Sequence, residues 1–172
     1  MKILHIVRHG KALQDYRYIH DYDRPLIEKG IVNNMAMAKQ LLAQYPAPDL
    51  IISSHAARTL HTAHIFAQVM GYPHARVQVN ERLYLCGEDE ASGIIECLPD
   101  EIESVMLVGH NPGLTYLAYT YARRGIDSIP TSGVVTIRFK TNRWSEIGKT
   151  NGDLLGFLKP DRSYIQANPT GF

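Results

Sequence analysis

Three stretches of the sequence place basic side chains where strands are expected to end. Arg8-His9-Gly10 follows the apolar run of residues 2–7, and His110 follows the run of residues 105–109. Arg58 comes shortly after a third apolar run, residues 50–53, in the first turn of a predicted helix. In open α/β sheets the carboxyl ends of the strands are where ligands bind. No carboxylate lies in these turns, so the sequence predicts that a bound anion neutralises the cluster.

Phosphoryl chemistry fits these residue types. A neutral His9 can attack phosphorus as a nucleophile and form a phosphohistidine, which water then cleaves. Arg8 and Arg58 are expected to bind the equatorial phosphoryl oxygens through bidentate contacts. His110 precedes a helix N-terminus, whose field favours neutral imidazole until an anion binds. The guanidinium groups would supply the neutralising charge, so neither a metal ion nor a cofactor is predicted.

Other residues are candidates for the same site. Gly10 lets backbone amides approach a ligand closely, and Asn111 is a candidate phosphate ligand beside His110. Glu81 is the candidate proton donor for the leaving group, which would require a raised pKa of its carboxyl. The alternative for Glu81 is a solvated loop glutamate beside Arg82. When each motif is taken alone, an alternative to phosphate binding stays open. Arg58 is then a solvated surface arginine, and His9 and His110 are structural loop residues.

Alternating strands and helices must position these side chains. Apolar runs predict strands at residues 2–7, 50–53, 77–79 and 104–108, and helical spacing predicts helices after Pro25, after Ser54, near residues 91–97 and after Pro112. The run at 104–108 is continuously apolar, as in a central strand buried on both faces. Strands at 134–139, 144–147 and 154–158 follow. The pattern predicts an α/β fold: a three-layer α/β/α sandwich with a mostly parallel central sheet and antiparallel edge strands.

Residue types at the segment ends predict where elements begin and stop. Ser54 is expected to cap the N-terminus of the second helix, and Gly71 to end it. Asn111-Pro112 predicts a capped helix with proline at its first position. Arg123-Arg124 fits the last turn of that helix, where cations suit the dipole. Asn151-Gly152 favours a turn between two strands, residues 81–90 are expected to be irregular, and residues 160–172 show no periodicity.

Composition narrows the class of protein. With 172 residues, 45% of them hydrophobic and 20% charged, the chain fits one globular domain spanning residues 1–172. A net charge of +1 without a basic stripe argues against a nucleic-acid-binding protein.

Cysteines, the N-terminal segment and histidines narrow the class further. Cys86 and Cys97 have no metal-site or disulfide-framework spacing, which indicates a cytoplasmic protein. The first apolar run is too short for a signal peptide or a membrane span. His61 and His64 lie on one helix face but lack a third ligand nearby, so no metal site is predicted.

The motifs resemble those of the histidine phosphatase superfamily, the phosphoglycerate mutase-like enzymes with an Arg-His-Gly signature. The string at residues 7–12 resembles that signature, with His9 matching the nucleophile and Arg8 its phosphate-binding neighbour. Residues 53–59 and 62–63 resemble the second motif through Arg58, and residues 108–113 resemble the third through His110. Two positions depart from the pattern: Ile27 stands where a threonine commonly caps the first long helix, and His61 replaces a usual glutamine.

Within the superfamily, the short chain and the strings at residues 23–26 and 109–113 are most similar to the SixA-type phosphohistidine phosphatases. The resemblance implies a metal-independent phosphatase with a phosphohistidine intermediate, acting on a phosphorylated protein, and a site that phosphate or sulfate can occupy. It implies that Arg24 contacts the substrate at the rim, unless Arg24 only pairs with Asp21 or Asp23, and it places Glu81 where many members carry the acid. A small-molecule phosphomonoesterase and a non-catalytic phosphate-binding module remain the alternatives.

Overall fold

The computed structural model describes residues 1–15, 17–122, 126–149 and 152–161. Within these ranges the chain forms six strands: β1 Lys2–Arg8, β2 Leu50–Ser53, β3 Gln78–Val79, β4 Ser104–Gly109, β5 Val134–Phe139 and β6 Asp153–Leu158. The α-helices in the same ranges are α1 Glu28–Leu42, α2 Ala57–Met70, α3 Glu88–Glu96 and α4 Gly113–Ala122. Short 3₁₀ turns at Asp21–Asp23, His74–Arg76, Glu81–Leu83 and Trp144–Lys149 connect them.

The strands form one mixed sheet in the order β3-β2-β4-β1-β5-β6. β4 pairs in parallel with β1 and with β2, and β2 pairs in parallel with β3. β5 runs antiparallel to β1, and β6 runs antiparallel to β5. The predicted fold class, a mostly parallel sheet with an antiparallel edge pair, is confirmed.

Alternating side chains of the central strand β4 supply two separate hydrophobic cores. Val105 and Leu107 belong to the core that contains residues of α3 and α4, while Met106 and Val108 belong to the core that contains residues of α1 and α2. All four side chains are fully buried. A strand buried on both faces needs helices on both sides of the sheet, which accounts for the three layers.

The segment after β5 differs from the expectation. Residues 144–147 are not a strand but part of the 3₁₀ turn Trp144–Lys149. The Trp144 side chain is completely buried, and its indole Nε1 donates to the carbonyl of Ile102 at 2.7 Å. Burying a large side chain with its single donor satisfied outweighs the local strand preference of the segment. Asn151, half of the predicted turn, and Arg123-Arg124 lie outside the described residues.

Three helices begin at residues other than those predicted from the sequence. Ser54 is not the cap of α2, because the helix begins at Ala57 and the capping position, Ala56, has no side-chain cap. α4 begins at Gly113 rather than at Pro112, and α3 begins at Glu88, inside the segment expected to be irregular. Gly71 does end α2 in the left-handed conformation, as predicted, with φ 71°. None of the described helices combines the length and hydrophobicity needed to cross a bilayer.

Candidate active site

The carboxyl ends of β1, β2 and β4 lie side by side and bring distant parts of the sequence together. Arg8 is in register with Gly109, so His9 and His110 extend from adjacent strands, with ring centroids 5.2 Å apart. A cavity of about 540 Å³ opens at this edge of the sheet. Its lining residues are Arg8, His9, Lys11, Ala12, Gln14, Asp21, Arg24, Lys29, Asn33, Arg58, Leu85, His110, Asn111 and Thr131.

His9 has the tautomer and the charge state of a nucleophile. Its Nδ1 lies 2.8 Å from the carbonyl oxygen of Gly10, and because a carbonyl can only accept, Nδ1 carries the proton and Nε2 keeps its lone pair. Burial lowers the pKa of His9 to about 4, and the charges of Arg58, Arg8 and Arg24 act in the same direction, against the opposing effect of the Gly10 hydrogen bond. The imidazole is therefore neutral at physiological pH.

Gly10 serves packing rather than ligand binding. Its amide donates to Thr62 Oγ1 at 3.0 Å, and Gly10 is not among the residues that line the cavity. A Cβ at this position would lie 2.6 Å from Asn34 Nδ2 and 2.9 Å from the Gly30 carbonyl oxygen. The geometry therefore gives no support to Gly10 as a phosphate-binding residue, and it shows that a side chain here would push the segment of His9 away from α1.

Arg58 is the buried cation of the site, with 1% of its surface exposed. It lies in the first turn of α2, and its partners come from the 3₁₀ turn that contains Asp21. Nη1 donates to the backbone carbonyl of Asp21 at 2.5 Å, and Nη2 donates to Asp21 Oδ2 at 2.9 Å. The strand-end turns themselves lack a carboxylate, as the sequence shows, but a separate turn supplies one.

Asp21 links three side chains at the cavity. Arg24 Nε and Nη2 donate to Oδ1 at 3.0 and 2.9 Å, while Oδ2 accepts from Arg58 and, at 2.5 Å, from the Tyr84 hydroxyl. Burial acts to raise the pKa of Asp21, but the hydrogen bonds from Tyr84 and Arg58 and the charges of Arg58 and Arg24 outweigh it and hold the pKa at about 2. Asp21 is thus a permanent anion beside the phosphoryl-binding candidates.

Arg24 both pairs with Asp21 and faces the cavity. It forms the ion pair with Asp21, and it also lines the cavity, with Nη1 donating to the carbonyl of Leu13 at 2.8 Å. A guanidinium fixed by two partners loses little entropy when it contacts a ligand. Arg24 therefore remains a candidate for contact with the substrate.

His110 is held as a neutral imidazole with 4% of its surface exposed. Arg58 Nη2 approaches its Nδ1 at 3.4 Å, and because a guanidinium can only donate, the ring proton sits on Nε2, which donates to Ser54 Oγ at 3.0 Å. Burial, followed by the charges of His9 and Arg58, lowers the pKa of His110 to about 3. Ser54 therefore orients this histidine instead of capping α2.

Arg8 and Asn111 are anchored to the same backbone carbonyl. Arg8 Nη1 and Asn111 Nδ2 donate to the Ile129 carbonyl at 2.8 and 3.0 Å, and Asn111 Oδ1 accepts from Thr115 Oγ1 at 3.0 Å. Partial burial lowers the pKa of Arg8, though a guanidinium stays charged. Both residues line the cavity with their orientation fixed, as phosphate-binding groups require.

Glu81 does not occupy the place expected for a proton donor. It is the exposed first residue of the 3₁₀ turn Glu81–Leu83, and it is not among the described residues that line the cavity. Tyr84, three positions later, is the residue of this segment that contacts the site, through Asp21 and through an edge contact with the His110 ring at 5.4 Å. The geometry therefore gives no support to the acid role of Glu81.

Sequence reasoning missed several residues of the cavity. Of the lining residues, Asp21, Lys11, Lys29 and Asn33 are not among the candidates from sequence. Nor is Tyr84, which is not among the lining residues but donates to Asp21. The one available signal was the Asp-Tyr-Asp-Arg-Pro string, which suggested an ion pair of Arg24 with Asp21 without showing that Arg58 shares it.

One of the two histidines on the same face of α2, His64, has a partner outside the helix. His64 pairs with His74 rather than with His61: their Nδ1 atoms lie 2.9 Å apart and the rings stack. In the described ranges no group of three histidine, cysteine, aspartate or glutamate side chains is arranged to hold a metal ion.

Comparison with known proteins identifies the class to which this fold and site belong. The model of the histidine phosphatase superfamily (branch 1) matches residues 4–90, and the chain belongs to this superfamily. Its fold is similar to that of the putative phosphohistidine phosphatase SixA from Agrobacterium tumefaciens, at 25% identity and a TM-score of 0.79, over 93% of this chain and 99% of that one. It is also similar to the protein histidine phosphatase SixA complexed with tungstate, at 22% identity and a TM-score of 0.78, over 92% and 97% of the two chains.

A relative in sequence carries no assigned activity. An uncharacterized protein of Mycobacterium tuberculosis is 29% identical over 165 residues, which is 90% of this chain and 99% of the relative. The superfamily match and the structural neighbours together support a phosphatase function.

Proposed function

We propose that this protein is a metal-independent phosphatase that removes the phosphoryl group from phosphohistidine on a protein, through a phosphoenzyme on His9. The observation that carries the proposal is the state of His9: Nδ1 donates to the Gly10 carbonyl at 2.8 Å, and the pKa is about 4. Nε2 is therefore an available lone pair in a cavity lined by Arg8, Arg58 and His110.

In the first step, His9 Nε2 attacks phosphorus in line with the leaving group. The bond between Nε2 and phosphorus forms as the bond between phosphorus and the substrate nitrogen breaks. The hydrogen bond from Nδ1 to the Gly10 carbonyl stabilises the positive charge that the His9 ring gains. The leaving imidazole takes up the electron pair of the broken bond.

Charge stabilisation comes from groups that are already in position. Arg8 and Arg58 would donate to the equatorial oxygens, whose charge the transition state spreads over three atoms. Their anchors on Ile129 and Asp21 keep the guanidinium groups from reorganising during the reaction. Neutral His110, held by Ser54, keeps a fixed position beside these groups without adding charge.

In the second step, water attacks the phosphorus of phospho-His9. The new bond to oxygen forms as the bond to Nε2 breaks, inorganic phosphate leaves, and neutral His9 is regenerated. One proton of the water stays on phosphate and the other passes to solvent or to a neighbouring base, so the cycle closes with water as the only reactant besides the substrate.

The absence of a protonated acid favours phosphohistidine as the substrate. Of the described residues that line the cavity, Asp21 is the only carboxylic acid, and with a pKa of about 2 it cannot donate a proton near neutrality. An alcohol leaving group needs such a donor. An imidazole does not, because a proton on its second nitrogen lets it leave as a neutral molecule.

The proposal is tested by turnover and by trapping the intermediate. Purified wild-type protein should hydrolyse a phosphohistidine peptide in the presence of a chelator, and acid-labile label should accumulate on His9. His9→Ala should lose more than about a thousandfold in kcat, while His61→Ala, an exposed change on α2, should not change kcat.

A substrate panel separates the alternatives. Faster turnover of small phosphoesters than of phosphohistidine peptide would indicate a small-molecule phosphomonoesterase. Phosphate binding with neither turnover nor label on His9 would indicate a non-catalytic binding module and overturn the proposal.

A further inference from the structure

The cavity extends beyond the groups that a phosphoryl transfer needs. Lys11, Lys29 and Asn33 line the same 540 Å³ space as His9 and Arg58. Lys29 and Asn33 are four residues apart on α1 and so lie on one face of that helix. The ammonium groups of Lys11 and Lys29 form no ion pair within the described part of the chain.

Backbone contacts hold the segment that contains Lys11 against the start of α1, which carries Lys29 and Asn33. The Ile27 amide donates to the Lys11 carbonyl at 3.0 Å, and a Cβ on Gly30 would lie 2.2 Å from that same carbonyl oxygen. Only glycine at position 30 allows the segment that follows His9 to lie this close to α1. The position of Lys11 relative to Lys29 is thus set by the fold.

Asn33 adds a polar side chain to this part of the cavity. It lines the cavity although only 5% of the residue is exposed. Its Oδ1 has no hydrogen-bond partner among the described residues, but an amide oxygen can only accept, so a carboxylate cannot pair with it. The group of Asn33 that can donate to an anion is Nδ2.

The charge of the cavity exceeds what one phosphoryl group neutralises. Five cationic side chains line it, those of Arg8, Lys11, Arg24, Lys29 and Arg58, against the single carboxylate of Asp21. A phosphoryl group brings about two negative charges, so positive charge remains unmatched, and the two lysines carry it. The pattern fits a substrate with more than one anionic group.

We propose that Lys11, Lys29 and Asn33 form a second binding subsite that takes a carboxylate of the substrate, close to the phosphoryl group. This inference rests on the proposed function for its substrate class. The carboxylate has two possible sources, an acidic side chain that neighbours the phosphohistidine of a protein, or the carboxylate of a small phosphorylated molecule. Asn33 Nδ2 and the two ammonium groups would donate to its oxygens.

The experiment measures binding, so that it does not depend on turnover. Calorimetry in the His9→Ala background compares two ligand pairs that differ in carboxylates alone. One pair is a peptide with a stable phosphohistidine analogue flanked by glutamates and the same peptide with glutamines. The other is O-phosphoserine and O-phosphoethanolamine. The pair that shows the preference identifies the source of the carboxylate.

For at least one pair, the carboxylate ligand should bind about five- to tenfold more tightly, since two partly exposed charge pairs contribute. That ratio should approach one in K11M/K29M and at 1 M salt, where the screening length is about 3 Å. It should persist in Lys39→Met, a matched change at an exposed position of α1 near the opposite end of the helix. Asn33→Leu should lower it as well.

Three results would overturn the subsite: ratios near one for both pairs, a ratio that survives K11M/K29M, or an equal loss in Lys39→Met. Failure of the proposed function looks different. In that case wild-type protein neither hydrolyses the phosphohistidine peptide nor acquires label on His9, while the carboxylate preference and its loss in K11M/K29M can still be measured.

Discussion

Replacing Asp21 by asparagine removes one charge and one hydrogen-bond acceptor from the centre of the site. Both carboxylate oxygens accept hydrogen bonds, from Arg24, Arg58 and Tyr84. Asparagine keeps the size of the side chain and one acceptor oxygen, and the backbone carbonyl that binds Arg58 Nη1 is unaffected. The Asp21→Asn variant therefore reports what the ionised carboxylate, as charge and acceptor, contributes to stability.

The pKa of Asp21 gives the magnitude. Its decrease from 3.8 to about 2 corresponds to about 2.4 kcal/mol between the ionised and protonated forms at about 1.36 kcal/mol per unit. Because 32% of the side chain is exposed, solvent screens part of this interaction, and we expect Asp21→Asn to lower the free energy of unfolding by about 1–1.5 kcal/mol at pH 7.

The sign of the pH dependence follows from the direction of the pKa change. A carboxyl group whose folded-state pKa lies below its unfolded value stabilises the fold at pH above about 3.8, and this contribution disappears as pH falls through about 2. Urea unfolding of wild type and Asp21→Asn should therefore give a constant difference from pH 7 to about 4.5. Asp23→Asn, an exposed change in the same 3₁₀ turn, is the control and should match wild type.

Two outcomes would refute this reasoning. Equal stability of Asp21→Asn and wild type at pH 7 would mean that Asp21 does not compensate the buried charge of Arg58. A difference that already shrinks between pH 7 and 5 would mean that the carboxyl titrates in its ordinary range or above it, so the contacts with Tyr84 and Arg58 do not hold it ionised.

Three further predictions concern protonation and the acid role. The acidic limb of the wild-type kcat/KM profile should fall tenfold per unit below about pH 4 and be absent above about pH 5, since His9 must be neutral to attack and its pKa is about 4; an acidic limb near pH 6.5 would contradict this. Glu81→Gln should change kcat less than about twofold, because the residue is exposed and outside the cavity; a loss of tenfold or more would restore its acid role. His5, buried with a pKa of about 4, stays neutral in the fold but charges on unfolding, so this residue alone should cost wild type about 2 kcal/mol of stability between pH 7.5 and 5. The pKa values of His9 and His110 are also lowered, so these residues add to the loss in wild type and variant alike; His5→Leu should therefore lose about 2 kcal/mol less than wild type in the same urea titrations.

The parts of the fold that sequence predicts well are those in which local pattern and burial agree. β4 is continuously apolar and is buried on both faces, and β2 has the predicted bounds. Once these strands are parallel neighbours, their carboxyl ends must meet, so His9, Arg58 and His110 come together as expected. Hydrophobic periodicity is enough to assemble the phosphoryl-binding candidates.

The parts that sequence did not predict depend on tertiary contacts of irregular segments. Asp21 belongs to a 3₁₀ turn, and its partner Arg58 is 37 residues away. No local rule relates the two. Serine often caps helices, but the hydroxyl of Ser54 binds His110 instead. Trp144 lies in a segment with a strand-like sequence, but it forms part of a 3₁₀ turn and its side chain packs in the core. In each case one long-range contact outweighs a local preference.

Asp21 and a bound phosphoryl group address the same electrostatic problem, the buried charge of Arg58. Buried Arg58 must have a negative partner, and within the fold that partner is Asp21. A phosphoryl group that binds Arg58 brings a second anion next to Asp21, and like charges raise the pKa of a carboxyl. Because the pKa of Asp21 begins at about 2, the carboxylate can tolerate a rise of several units and still be ionised near neutrality. In the proposed mechanism the arginines would therefore remain held from one side by Asp21 while they bind the phosphoryl group from the other, which is the preorganisation that charge stabilisation in the transition state requires.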